Sequence, residues 1–336
     1  MNRHPGEFAS DGILPFLTGR LGRLHARQRL GIEAEHEAKA FGHGLNFFHI
    51  ENWYPTHALI RIILRLTGLY ARGHRNAADV QVRRNRVRSP RLPRAFDGFT
   101  ILQLSDLHTD LSEEAMRRMI ALLPGLQYDV CVLTGDFRGK TFGPITHVME
   151  DVRQIRDALR GPVYGVLGNH DTIRMVPAFE AMGIRMLLNE CEVISRGPAS
   201  IHLAGIDDAH FFRVDNIEKA GDAIPEGAFC VLLSHTPEIY RQAAHAEFDL
   251  LLSGHTHGGQ ICLPGGFPVT LDSRLPRRLG AGAWSWQGMV GYTSRGAGCS
   301  VVPVRLNCPP EITLHRLECA PELPTGATAA GARPAP

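Results

Sequence analysis

Five short segments carry side chains that bind divalent metal ions, and each follows an apolar run that is predicted to be a strand. They are Ser105–His108, Thr134–Asp136, Gly168–Asp171, Ser234–His235 and Gly254–Gly259. Each segment alone is typical of an ordinary loop, because Asp often caps a helix and Gly-Asp often forms a turn. The carboxyl ends of strands in an α/β sheet meet at one edge, so together these loops predict a common site.

The predicted site offers two Asp, one Asn and four His side chains, which suit two first-row divalent cations. Imidazole with carboxylate selects Mn, Fe, Co, Ni or Zn, and the absence of thiolate from the set argues against a structural Cys-type zinc site. Seven ligands serve two ions if one carboxylate bridges them. Two ions about 3.5–4 Å apart clamp a phosphoryl group and ionise a shared water for in-line attack. The residues therefore predict phosphoester hydrolysis.

The order of these motifs, D-x-H, G-D, G-N-H-D, H and G-H-x-H, resembles the calcineurin-like metallophosphoesterase superfamily over about Phe96 to Leu317. The resemblance implies an α/β fold, a four-layer αββα sandwich with two mixed β-sheets and the metal site at the strand ends. It implies that metal one is held by Asp106, His108, Asp136 and His257, and metal two by Asp136, Asn169, His235 and His255. Asp136 would bridge the two ions.

The resemblance also implies catalytic roles for two residues of the third motif. His170 would be the cation or acid that faces the leaving oxygen, and Asp171 would orient it. A place between a metal ligand and a carboxylate stabilises imidazolium, which could then donate a proton. Many family members continue the Gly-Asp motif with a second acidic residue, whereas Gly135–Lys140 is basic here. Arg138 is therefore a candidate to bind a substrate phosphate, the alternative being a solvated loop residue.

Three further segments narrow the resemblance to one bacterial branch of the superfamily. Gly258–Pro264, Ser294–Gly296 and Cys308–Ile312 are similar to a branch of small phosphodiesterases and, more distantly, of pyrophosphatases that split UDP-diacylglucosamine. The branch implies a phosphodiesterase that uses Mn, Fe or Zn. The alternative is a UDP-diacylglucosamine-type pyrophosphatase, or a phosphoesterase of lipid headgroups at a membrane surface. The metal ligands alone do not separate monoesters from diesters.

The chain between Phe96 and Leu317 alternates short apolar runs with helical patterns, as α/β proteins do. Strands are predicted at Thr100–Leu104, Val130–Thr134 and Val163–Leu167. After Ile184 the strand candidates follow one another more closely. This change predicts a second, more antiparallel sheet.

Composition and charge divide the chain into three zones. The 336 residues are 44% hydrophobic and carry a net charge of +2, as in a globular protein. Residues 1–96 hold sixteen Lys and Arg against seven Asp and Glu, whereas the remainder is net acidic. We expect a basic N-terminal helical extension (1–96), a metallophosphoesterase domain (97–318) and a disordered tail (319–336).

The extension leaves two interpretations open. Ile13–Ala40 predicts one or two basic helices, and Thr56–Tyr70 predicts another, interrupted by Arg61 and Arg65. The helix at Thr56–Tyr70 either packs on the main domain with its arginines in solvent, or lies at a membrane surface with its arginines on anionic headgroups. Residues 1–72 would then make a peripheral contact with the inner face of the membrane.

Other classes of protein and other locations are not expected. No apolar run reaches the roughly 18 residues that a spanning helix needs. The basic residues show no base-reading or stacking pattern, so nucleic-acid binding is not expected. Seven scattered cysteines and the lack of a secretory signal pattern favour a reduced, cytoplasmic location.

Overall fold

Two six-stranded β-sheets form the centre of the fold. The computed structural model describes residues 10–41 and 54–320. The first sheet has the order β1 (Gln81–Ser89), β14 (Glu311–Cys319), β2 (Thr100–Leu104), β3 (Val130–Thr134), β4 (Val163–Val166) and β5 (Ile184–Met186). The second has the order β12 (Gly282–Trp286), β13 (Met289–Thr293), β9 (Leu250–Ser253), β8 (Cys230–Leu233), β7 (Ala199–Gly205) and β6 (Glu190–Arg196). A separate hairpin joins β10 (Cys262–Leu263) to β11 (Phe267–Pro268).

The central strands are almost entirely apolar because both faces of each sheet are covered. Strands β3, β8 and β9 are buried along their whole length. One apolar cluster lies between the sheets and includes Ile101 and Val132 from the first and Val231 and Leu252 from the second. Continuous apolar runs of this kind are typical of strands buried on both faces.

Helices cover the outer face of each sheet, which confirms the predicted four-layer arrangement. Side chains of α1 (Ser10–Leu21), α2 (Arg23–Phe41), α5 (Glu113–Leu122), α6 (Thr146–Ala158) and α7 (Val176–Ala181) join the cluster on the first sheet. The short helices α8 (Ile217–Gly221) and α9 (Tyr240–His245) join the cluster on the second. The first turn of α5 is capped by Ser112, whose side chain accepts the N–H of Ala115.

The second sheet contains more antiparallel pairs than the first, as the sequence predicts. Its pairs β7–β8, β8–β9 and β9–β13 are parallel, and its antiparallel pairs are β6–β7 and β12–β13. The first sheet has a single antiparallel pair, β14–β2, so the expectation of a second, more antiparallel sheet is confirmed, although parallel pairs are the majority in both sheets. Parallel neighbours need crossover connections, and α8 and α9 lie in two of them. These helices have only five and six residues, which makes their periodicity hard to detect.

The basic N-terminal region contributes a strand to the first sheet. Strand β1 pairs in parallel with β14, from Gln81 opposite Glu311 to Ser89 opposite Cys319. Its sequence, QVRRNRVRS, is rich in arginine because this strand lies at the sheet edge. Cys319, assigned to the tail, is the last residue of β14, and residues 321–336 of that tail lie outside the described residues. The domain boundary at residue 96 stays a prediction.

Two further N-terminal helices pack beside the second half of the chain. The helix predicted at Thr56–Tyr70 is divided into α3 (Tyr54–Leu66) and α4 (Leu69–Ala77) by Gly68, which has a φ of 70°. Leu64 packs against Val302, Val304 and Leu306. Most of the segment before α3, residues 42–53, lies outside the described residues. Among the described helices, none has the length and apolar character needed to cross a membrane.

Candidate metal centre

The loops that follow five strands bring all seven predicted ligands to one edge of the two sheets. Asp106 and His108 follow β2, Asp136 follows β3, and Asn169 follows β4. From the second sheet, His235 follows β8, and His255 and His257 follow β9. All seven side chains are buried, each exposing 6% or less of its surface. The parallel strands of both sheets therefore present their ligands in the same direction.

One set of ligand atoms gathers around the amide oxygen of Asn169. Oδ1 of Asn169 lies 2.9 Å from Nε2 of His235 and 2.8 Å from Nδ1 of His255. Nε2 of His235 lies 3.2 Å from Oδ2 of Asp136. Asp136, His235 and His255 thus form a group able to bind a metal ion.

A second set lies on the other side of Asp136. Nε2 of His257 lies 3.0 Å from Nε2 of His108 and 3.4 Å from Oδ1 of Asp106. Nε2 of His108 lies 3.7 Å from Oδ2 of Asp136, the same oxygen that faces His235. Asp106, His108 and His257 form a second group able to bind a metal ion, and Asp136 lies between the two groups.

Backbone carbonyls fix the protonation of two of these imidazoles. Nδ1 of His108 lies 2.9 Å from the carbonyl oxygen of Arg138, and Nδ1 of His235 lies 2.8 Å from that of Thr134. A carbonyl oxygen only accepts hydrogen bonds, so Nδ1 carries the proton in both rings. Nε2 is therefore the ring nitrogen that faces the ligand sets in both residues, which is the orientation that coordination of a metal ion requires. The donor set fits divalent metal ions.

The buried acids and imidazoles shift one another's pKa values. Burial, reinforced by Asp136, raises the pKa of Asp106 to about 7, although His235 opposes this change. Burial would also raise the pKa of Asp136, but the neighbouring His235 and His170 hold it well below its usual value. Burial would lower the pKa of His235, but Asp136 raises it to about 10. Such mutual dependence is typical of a functional site.

The backbone at this edge adopts a conformation that most side chains avoid. Five of the predicted ligands have a positive φ: Asp106 at 51°, His108 at 38°, Asp136 at 56°, His255 at 71° and His257 at 50°. Residues other than glycine rarely adopt this region, and such strain is concentrated at functional sites. The surrounding fold holds these five residues in place against a local conformational cost.

Two glycines allow the ligand loops to approach each other closely. A Cβ atom at Gly168 would overlap the carboxylate of Asp136, and one at Gly254 would overlap the carboxylate of Asp106. Gly168 is therefore required by close contact between the loops of the neighbouring strands β3 and β4, and Gly254 by close contact between loops of the two sheets.

His170 lies beside the ligand sets, and its ring is held by a partner that the sequence does not indicate. Its backbone N–H donates to Oδ1 of Asp136 at 2.9 Å, and its Nε2 lies 4.0 Å from Oδ2 of the same carboxylate. Its Nδ1 lies 3.0 Å from Oγ1 of Thr141. Nε2 is thus the ring nitrogen that faces the metal-binding groups.

Asp171 organises the backbone of the site, in contrast to its expected role of orienting His170. Its Oδ2 accepts the N–H groups of Asp136 and Gly168, both at 2.8 Å, and its Oδ1 accepts that of Phe137 at 2.9 Å. The fully buried carboxylate therefore holds the loops after β3 and β4 together. The physical reason is that buried backbone N–H groups need acceptors.

Arg138 likewise has a place different from the one expected. The side chain is 4% exposed, and its Nε donates to the carbonyl oxygen of His170 at 2.6 Å. Nη1 donates to the carbonyl oxygen of Gly143 at 3.2 Å, and Nη2 donates to that of Thr141. The guanidinium is therefore bound to backbone carbonyls rather than directed to a substrate phosphate.

Arg305 is a site residue that the sequence motifs do not indicate. Its fully buried guanidinium lies with Nη2 3.1 Å from Nδ1 of His257, and Nη1 donates to the carbonyl oxygen of the same residue at 3.1 Å. Arg305 follows no strand motif and lies 48 residues from His257, so no local pattern could have indicated it.

The turn after β7 reaches the same edge. The ring of His210 lies 4.2 Å from that of His255, and its Nδ1 lies 2.9 Å from Oε2 of Glu238. Burial lowers the pKa of His210, but Glu238 outweighs this effect and the net shift is upward. Asp208 closes the turn by accepting the N–H groups of residues 210–212.

Comparisons with known proteins agree with this geometry. The family model of calcineurin-like phosphoesterases matches residues 99–259, which contain all seven predicted ligands. An uncharacterized metallophosphoesterase of Bacillus subtilis, YkoQ, is 29% identical over 269 residues, which cover 77% of this chain and 97% of that protein. The phosphodiesterase YaeI of Escherichia coli is 27% identical over 235 residues, which cover 65% of this chain and 82% of that protein.

A longer relative shares the same region. A Danio rerio protein named as a transmembrane protein with a metallophosphoesterase domain is 31% identical over 243 residues, which cover 66% of this chain and 54% of that protein. The family match, these relatives and the two metal-binding groups agree. The chain belongs to the calcineurin-like phosphoesterase family and is a metal-dependent phosphoester hydrolase.

Proposed function

We propose that this chain hydrolyses phosphodiesters with two divalent metal ions, which are Mn, Fe or Zn. The observation that carries the proposal is the pair of buried ligand sets on either side of Asp136. Asp106, His108 and His257 would hold one ion, and Asn169, His235 and His255 the other, with Asp136 shared. When bound, the ions supply Lewis acidity for the phosphoryl group and lower the pKa of a water molecule.

The protein's own contribution is to position these groups and to supply a proton. His108 and His235 are pre-oriented by the carbonyl groups of Arg138 and Thr134. With Nδ1 of His170 held at Thr141, Nε2 is the atom that would donate a proton to the leaving-group oxygen. Asp171 supports this arrangement through the backbone of both loops rather than through the ring of His170.

The diester preference is supported by relatives rather than by the ligand sets. One relative is named a phosphodiesterase, and the branch that the sequence resembles contains small phosphodiesterases. The test compares bis-p-nitrophenyl phosphate with p-nitrophenyl phosphate after reconstitution with Mn²⁺. We expect Mn²⁺-dependent turnover that is faster on the diester. Faster turnover of the monoester would reject the diester preference.

A matched pair of histidine variants tests the ligand assignment. His235→Ala should lose bound Mn²⁺ and activity together, since its Nε2 faces both Asp136 and Asn169. His245→Ala removes an exposed histidine at the end of α9 and should retain both properties. Metal content measured on the purified variants decides the result. Full metal content in His235→Ala would contradict the assignment.

A second candidate function is hydrolysis of a lipid-linked phosphoester or pyrophosphate at a membrane surface. One face of α3 favours it, because Leu59, Ile62, Ile63 and Leu66 are 55%, 52%, 50% and 83% exposed. Leu69 at the start of α4 is 38% exposed and continues the face. Contiguous apolar side chains in solvent are typical of a surface that binds a partner or a membrane.

The charges around this face favour an anionic surface. Arg61, Arg65, Arg72 and Arg75 are exposed, and residues 52–78 contain no Asp or Glu. An amphipathic helix with this composition binds the interface of anionic bilayers through apolar burial and charge attraction. Under this candidate the chain would act in the cytoplasm, on the inner face of the membrane.

Vesicle sedimentation tests the second candidate. The full chain should bind vesicles that contain phosphatidylcholine and phosphatidylglycerol, and high salt should dissociate it from them. It should not bind vesicles of phosphatidylcholine alone. The Ile62→Ser, Leu66→Ser double variant should lose binding. Val193→Ser, which removes a side chain that is 56% exposed on β6, is the matched control and should bind normally. Lack of binding by the unmodified chain would reject this candidate.

A further inference from the structure

The buried face of α2 contacts the loop that carries Asn169 and His170. We propose that α2 is a positioning element for catalysis, in which Arg29 and Glu33 fix this loop against the turn after β7. The inference rests on the proposed function, because it concerns the same site. It assigns a role to a part of the N-terminal extension that lies before the region matched by the family model, residues 99–259.

Arg29 provides the first contact between α2 and the catalytic loop. The side chain is fully buried, and its Nη2 donates to the carbonyl oxygen of Asp171 at 2.9 Å. The guanidinium carbon lies 3.4 Å from the centre of the Phe212 ring. A buried guanidinium with a cation–π contact and a carbonyl acceptor has a defined orientation.

Glu33, one turn further along α2, holds the next two residues of the same loop. Its Oε2 accepts the hydroxyl of Thr172 at 2.6 Å, and its Oε1 accepts the backbone N–H of Ile173 at 2.7 Å. Together with Arg29, α2 therefore binds three consecutive residues, 171–173. These follow directly after Asn169 and His170.

Helix α2 also contacts the turn that follows β7 of the second sheet. Asp207 follows β7, and its Oδ1 lies 3.5 Å from Nε of Arg29. Its Oδ2 lies 2.8 Å from Nε2 of His25, also on α2. Burial would raise the pKa of Asp207, but Arg29 and His25 hold it below its usual value. The carboxylate is therefore an ionic partner of α2, and α2 connects a loop of each sheet.

This connection has a direct consequence for the metal-binding groups. Asn169 on the loop after β4 must meet His255 on the loop after β9, and their atoms lie 2.8 Å apart. The turn after β7 contacts His255 through the ring of His210. By holding both loops, α2 limits the relative displacement of the two sheets at the site. A misplacement of about 1 Å at a reacting centre can lower the rate about 100-fold.

The main test is Arg29→Lys. Lysine retains the positive charge beside Asp207, but it lacks the planar guanidinium that stacks on Phe212 and donates to Asp171. We expect kcat on bis-p-nitrophenyl phosphate to fall between about 10-fold and 100-fold with an unchanged KM. Mn²⁺ affinity, measured by calorimetry, should also weaken because Asn169 is on the loop. Arg27→Lys is the matched control, since Arg27 is exposed on the same helix and should behave as the unmodified chain.

Glu33→Gln gives a second, milder variant in case Arg29→Lys fails to fold. The neutral amide oxygen is a weaker acceptor than the carboxylate, so the hydrogen bond from the backbone N–H of Ile173 should weaken and this N–H should exchange faster with solvent. Lower thermal stability with unchanged kcat, Mn²⁺ affinity and exchange would show a purely structural role and overturn the inference. If the unmodified chain lacks diesterase activity, the proposed function fails, whereas Mn²⁺ affinity and exchange still decide the role of α2.

Discussion

Replacement of Arg138 by methionine tests whether this side chain serves catalysis by positioning loops or by binding substrate. The guanidinium donates to the carbonyl oxygens of His170, Gly143 and Thr141. Thr141 in turn contacts the ring of His170 at 3.0 Å. Arg138→Met should therefore disturb the position of His170 while leaving the approach of substrate unaltered. We expect a lower kcat and an unchanged KM.

The expected loss of stability in Arg138→Met follows from the three lost hydrogen bonds and from the burial of the guanidinium. Hydrogen bonds that involve a charged donor contribute about 1.5–3 kcal/mol each. The net loss is smaller than their sum, because burial lowers the pKa of Arg138 and methionine relieves that unfavourable burial of charge. We expect the unfolding free energy to fall by about 3 kcal/mol, which corresponds to about 4 °C in Tm for a chain of this length. The displaced imidazole should lower kcat between about 10-fold and 100-fold.

The assay is steady-state hydrolysis of bis-p-nitrophenyl phosphate by Mn²⁺-loaded protein, well below the Tm of the variant. Lys140→Met is the matched control, because Lys140 is an exposed cation two residues away on the same loop. The control should retain kcat, KM and Tm. A raised KM with an unchanged kcat in Arg138→Met would refute the positioning role and restore the interpretation as a phosphate-binding residue.

Three other predictions follow from single side chains. His170→Ala should lower kcat about 100-fold or more with unchanged metal content, and normal turnover of the diester would contradict its role as proton donor. Gly254→Ala should weaken Mn²⁺ binding in calorimetry, because the new Cβ meets the carboxylate of Asp106, and an unaltered affinity would disprove this contact. Burial lowers the pKa of His315 from 6.5 to about 3. Unfolded chains take up this proton near pH 6.5 and the folded chain does not, so stability should fall as pH drops from about 6.5 toward 3, by about 1.4 kcal/mol per unit from this residue. His315→Gln should remove that part of the slope in urea unfolding, and an identical slope would show that other groups cause it.

The predicted ligands illustrate what sequence patterns can establish. Asp106 follows the buried strand β2, and His235 follows the buried strand β8, and both patterns are visible as an apolar run with a metal-binding side chain after it. Such runs predict strands by composition alone, and strand ends are the expected place of the site. The seven side chains therefore could be selected without coordinates, and the structure brings all of them together.

The supporting residues could not be selected in the same way. The family resemblance implies that Asp171 orients His170, yet its carboxylate accepts backbone N–H groups of a loop about 35 residues away. The basic loop makes Arg138 a candidate phosphate ligand, yet its partners are backbone carbonyls. Backbone groups occur at every residue, so a side chain whose hydrogen-bond partners are backbone groups cannot be recognised from the sequence.

The sequence alone therefore determined the chemistry that this protein offers: the strand ends that meet, the side chains able to bind metal ions and the family that they indicate. The tertiary structure decided how that chemistry is held in place. Arg29 reaches Asp171 across 142 residues of chain, and Arg305 reaches His257 across 48. The predicted metal ligands are specified locally by type and spacing. The side chains that position them depend on the packing of distant segments, which only the folded chain brings into contact.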